Sequence, residues 1–119
     1  MSSINFNVLW LDGQPNGRIK CSSVSFNGVA IKIPKNLLEQ SKGMEYMNNA
    51  GIYFLFGAND DGKKWVYVGQ SNSRKNNSGV LNRIIEHARD RENKDFNDAI
   101  ILTPPSNYWG GNRIKLIGK

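Results

Sequence analysis

The chain of 119 residues is long enough for one compact domain and too short for two of ordinary size. Its 39% of hydrophobic residues, 10% of the chain being aromatic, suffice for a core and exclude wholesale disorder. Sixteen Lys and Arg against ten Asp and Glu leave a net charge of +6, the balance of a protein that meets a polyanion, although a merely soluble basic protein has the same sum.

The start, Met1-Ser2-Ser3-Ile4-Asn5, lacks the charged-then-apolar pattern of a signal peptide, and no apolar run reaches membrane-spanning length. Cys21 stands alone, which excludes an internal disulfide and fits a reducing, cytoplasmic setting. Residues 4–11 begin with polar/apolar alternation and read as a strand, ended by the turn formers of residues 12–17. Arg18 to Phe26 and Gly28 to Ile33 predict two further strands joined by a tight Asn27-Gly28 turn. Pro34 then opens a helix over 35–42 that Gly43 stops. Residues 1–48 thus form a β-rich accessory module, too small to bury a core alone and expected to pack on residues 49–119.

The second part begins with two strands, 51–57 and 64–69, around the turn residues Asn59-Asp60-Asp61-Gly62. With residues 58–62 as the loop, Gly57 faces Lys63, Tyr53 faces Tyr67 and Gly51 faces Gly69, so two phenols share one face. Residues 70–79 carry no apolar side chain and read as a solvated loop holding Gln70, Arg74 and Lys75. A helix over 79–92 follows, with Val80, Leu81, Ile84, Ile85 and Ala88 on one stripe and Arg83 and His87 one turn apart at its edge. Residues 98–103 predict a third strand, closed by Pro104-Pro105. Seven Lys and Arg fall within residues 63–91 against Glu86 and Asp90, so the basic excess gathers around this hairpin and helix.

Gly51-Ile52-Tyr53, then Tyr67-Val68-Gly69 at hairpin spacing, then Arg83 and His87 on a helix, together resemble the GIY-YIG endonuclease family over residues 51–103. The resemblance implies hydrolysis of DNA phosphodiester bonds with one divalent ion, Mg²⁺ or Mn²⁺. It implies that Tyr53 acts as general base or orients the attacking water, that Tyr67 positions water or phosphate, and that Arg83 steadies the phosphate with His87 as polar partner. Lys63, Lys64, Gln70, Arg74 and Lys75 are candidate phosphate contacts, and each is equally a solvated polar group. Trp65 and Trp109 are candidates for base stacking or for packing. The sole histidine, His87, excludes a multi-histidine metal site.

The chain departs from the family at its end. The metal-binding glutamate belongs on a helix after the third strand, yet no Asp or Glu follows Asp98, and no metal ligand is assigned. The expected fold is α+β: a small three-stranded antiparallel sheet flanked by helices, with the β-rich module alongside and the nuclease-like part incomplete at its C-terminus. The expected function is an endonuclease impaired by the missing carboxylate. The alternative is a non-catalytic nucleic-acid-binding module that keeps the nuclease fold.

Overall fold

Strand-spaced apolar stretches outnumber the one helical stripe, and the architecture follows them. In the computed structural model, which describes residues 4–23, 26–72, 79–90 and 95–104, six strands form one sheet. They are β1 (Asn7–Trp10), β2 (Ile19–Ser23), β3 (Phe26–Pro34), β4 (Gly51–Ala58), β5 (Lys64–Ser71) and β6 (Phe96–Thr103). Their order is β1-β2-β3-β6-β4-β5, with every neighbouring pair antiparallel. Among the described residues the one α-helix is α1 (Val80–Arg89), and no helix is long and apolar enough to cross a membrane.

This corrects the expected α+β fold with a three-stranded sheet flanked by helices: the protein is β-rich, built on a single six-stranded sheet. The reason lies in β3. Its residues Val29 to Pro34 pair with Thr103 to Asp98, so β6 lies between β3 and β4 and is bonded along both edges. The strands of residues 1–48 therefore continue the same sheet. The helix expected over 35–42 is instead two 3₁₀ turns, Lys35–Leu37 and Glu39–Ser41, neither with a side-chain cap. Asn27-Gly28 is not a turn either. Pairing between β2 and β3 jumps from Ser22–Val29 to Ser23–Phe26, and these two residues are the excess absorbed by the irregularity.

The main core lies on one face of the sheet, and a smaller cluster of Ala50 and Ile52 with Phe54 and Leu102 lies on the other. Ile31, Ile33, Tyr53, Leu55, Ala99 and Ile101 point to the main core and meet Val80, Leu81, Ile84 and Ile85 of α1. The helix is seated by its backbone as well as by this stripe. Val80 N–H donates to Asn49 O (3.0 Å) and Leu81 N–H to Met47 O (3.2 Å), which satisfies two amides that a helix start leaves open. A Cβ on Gly79 would lie 2.5 Å from Cα of Asn48, so only glycine permits this approach.

The opposite, outer face is also apolar. One rung runs Trp10, Ile19, Lys32, Ile100, Phe54, Val68 across all six strands, each residue directly opposite the next. Directly opposed residues project to the same side.

Candidate active site

The site is set by the β4–β5 hairpin. Its loop is Asn59–Lys63, closed by Asn59 N–H to Lys63 O (2.7 Å) and Gly62 N–H to Asn59 O (2.9 Å), with Gly62 at φ +87°. Ala58 therefore pairs with Lys64, one residue later than the count from the sequence assumed. The consequence is a two-residue slide of the partner strand: Tyr53 faces Gly69, Tyr67 faces Leu55, and Gly51 faces Ser71. A slide of two preserves the face, so the tyrosines are diagonal neighbours instead of direct partners. Their ring centroids are 6.3 Å apart.

The slide also explains Gly69. A Cβ there would lie 2.4 Å from Cζ of Tyr53, so the Tyr53 ring crosses the space that a side chain on Gly69 would fill. That use of the second glycine is not visible in the motif, because it depends on the register. Gly57 does the same for Trp65, whose ring would meet a Cβ at 2.4 Å. Trp65 is half-buried against the core, the packing alternative of its two readings.

Helix α1 brings the other side chains. His87 lies 5.7 Å from Tyr53 and 5.2 Å from Tyr67 by ring centroid, edge-on to the latter, so the three rings form a triangle. The Tyr53 hydroxyl is 3.0 Å from Nε2 of His87. Tyr53 is 1% exposed and Tyr67 is 44% exposed, so one phenol is fixed within the protein and the other opens to solvent. Arg83, on the first turn, is largely exposed and its Nη1 donates to Oε1 of Glu86 at 2.8 Å.

The electrostatics follow from burial. Tyr53 is pushed up to about 12, first by desolvation and then by Tyr67, against the pull of the Arg83 charge beside it. His87 is held below its ordinary value by burial first and by the Arg83 charge second, with Asp90 and Glu86 opposing. At neutral pH the phenol keeps its proton and the imidazole is neutral, so in the tautomer protonated at Nδ1 the Tyr53 O–H donates and Nε2 accepts. Arg83 is raised, chiefly by its bond to Glu86.

Tyr53, Tyr67, Arg83 and His87 are thus brought to one mouth. The other candidates are not. Lys64 and Gln70 alternate with Tyr67 and Gly69 along β5 and belong to the outer face, and Lys63 is at the exposed hairpin tip. Arg74, Lys75, Trp109 and the rest of the C-terminal segment lie outside the described residues. Among the described residues no three of His, Cys, Asp and Glu cluster to hold a metal. The carboxylate carried by α1 beside Arg83 is Glu86, already paired with that guanidinium. A divalent ion prefers anionic oxygens that are available to it, so this donor set does not fit one, and no step is derived through it. Glu86 faces solvent across the helix from the apolar stripe, as its place in the sequence leads one to expect. Its pairing with Arg83 follows from their i,i+3 spacing on α1.

No family model, no curated protein and no solved structure matches the chain.

Proposed function

We propose that this protein is an endonuclease domain of the GIY-YIG type, acting on DNA phosphodiester bonds from the face that carries Tyr53, Tyr67, Arg83 and His87. The observation that supports it most is the 3.0 Å contact of the Tyr53 hydroxyl with His87 Nε2. Phosphodiester hydrolysis needs a base for the attacking water and positive charge at the phosphate. A phenol raised to about 12 is a poor standing base at neutral pH. A neutral imidazole behind it is a better one, so the water passes its proton to the Tyr53 oxygen while Tyr53 passes its own to His87. The water oxygen bonds to phosphorus as the P–O bond to the leaving sugar oxygen breaks, and that oxygen takes its proton from solvent. Tyr67, open to solvent, orients the water, and Arg83 turns from Glu86 to the phosphate. The reading includes a cytoplasmic setting, from the lone Cys21.

A second reading is a nucleic-acid-binding module without chemistry, favoured by the pairing of Glu86 with Arg83. Nicking of supercoiled plasmid, with and without added Mg²⁺ or Mn²⁺ and with chelator, separates the two. The enzyme reading expects nicking that Tyr53→Phe, His87→Ala and Arg83→Ala each reduce by about a hundredfold or more. Binding with no nicking under any of these conditions leaves the second reading.

A further inference from the structure

We infer that the outer face of the sheet is the interface between two copies of this chain, packed face to face. This does not rest on the nuclease reading. The sheet and α1 already make two layers, but a sheet face left to solvent normally alternates to polar residues. Here it does not. Val8 and Trp10 at one margin are 56% and 53% exposed, and Val66 and Val68 at the other are 52% and 56% exposed. Between them the rung from Trp10 to Val68 carries one charge, that of Lys32. The other polar residues of β5 and β6 on this face, Lys64, Gln70 and Asp98, stand away from that rung.

Breadth selects the occupant. Six strands about 4.8 Å apart span roughly 24 Å, whereas a helix covers about 10–12 Å. A single helix would therefore leave one margin or the other bare, and the exposed apolar residues stand at both. A second sheet of equal width covers both at once, and sheets stack about 10 Å apart with interdigitated side chains. A two-fold pair supplies such a sheet by placing each face against itself. Area agrees with this choice. At about 100 Å² for each exposed apolar side chain and roughly half that for the half-buried ones, each copy offers on the order of 700 Å², close to the ~800 Å² per partner of a stable complex. The tyrosine faces would then point away from each other.

Sedimentation equilibrium of the 119-residue chain over a wide concentration range tests this. A mass rising to about twice the 13.4 kDa of one chain is expected. Val66→Lys with Val68→Lys should weaken association at least about a hundredfold, because four ammonium groups would be buried at one two-fold. Leu9→Lys, equally exposed but on the opposite face of the sheet, should leave it unchanged. Thermal melting of the unaltered chain gives an independent reading, since Tm must climb with protein concentration in a dimer. A monomer at every concentration with a constant Tm overturns the proposal. So does a dimer that survives both lysines, which would place the contact elsewhere, or a monomer whose outer face proves to be covered by other residues of its own chain or by nucleic acid.

Discussion

A methyl group on Gly69 would sit 2.4 Å from Cζ of Tyr53 and 2.5 Å from its hydroxyl oxygen. The ring has nowhere to retreat, because its other side is closed by the core beneath α1. Gly69→Ala is therefore expected to cost about 1–3 kcal/mol by overpacking and to move the Tyr53 hydroxyl off His87. Urea denaturation measures the first effect, and an unchanged midpoint would rule out this packing. The paired ring nitrogen and phenol also titrate in opposite senses. His87 lies below its usual 6.5, so as pH falls the unfolded chain takes up its proton first. The stability it contributes is complete above about pH 6.5 and is lost as pH drops from there toward the depressed folded value. Tyr53, raised to about 12, acts at the other end: stability is intact below about pH 10 and is lost as pH climbs through 12. The imidazole resonances of His87, the only histidine, report the first directly by NMR. A titration midpoint at or above 6.5 contradicts the burial that defines the site.

At the scale of elements, β3 decides what kind of protein this is. Ile31 is 1% exposed and belongs to the same core as Tyr53 and Ile84, although it lies in the leading 48 residues. Ile31→Ala is expected to cost about 2–5 kcal/mol and to destabilise strands and helix together. Far-UV circular dichroism and tryptophan fluorescence should then shift to a common lower midpoint. Two separate transitions, with only one moved, would mean that residues 1–48 form a unit of their own. The same strand shows where the sequence stops being legible. Strands β4 and β5 and helix α1 are readable from local signals: the Asn-Asp-Asp-Gly turn, the aromatic and β-branched runs, the stripe from Val80 to Ile85. The pairing of Val29 with Thr103 joins residues far apart in sequence, and no local pattern encodes it. Register was the second limit. Both Ala58–Gly62 and Asn59–Lys63 are acceptable five-residue loops by composition, and hydrogen bonds at Asn59 choose the latter. The tyrosines shared a face under either choice because a slide of two keeps parity; only their partners changed.

For the whole molecule, a net charge of +6 matters less than where the cations stand. On the tyrosine side the described cation at the mouth is Arg83, with Lys63 at the hairpin tip; Lys32 and Lys64 line a shallow depression on the outer face beside Asp98. A duplex laid against Tyr53 and Tyr67 would meet the first pair and miss the second. Each phosphate neutralised releases condensed counterions, so the logarithm of affinity falls with that of salt by about 0.9 per contact, and a slope of roughly −2 to −4 is expected here. Lys63→Ala and Arg83→Ala should each make the slope shallower by about one unit, whereas Lys64→Ala should leave it where it was. Titrating one duplex at several salt concentrations measures all three. The comparison is sharper than affinity alone, because a fold defect lowers binding at every salt concentration without changing the number of ions released. If Lys64→Ala flattens the slope as much as Arg83→Ala does, the nucleic acid tracks the outer face, and the site around Tyr53 is not where it binds.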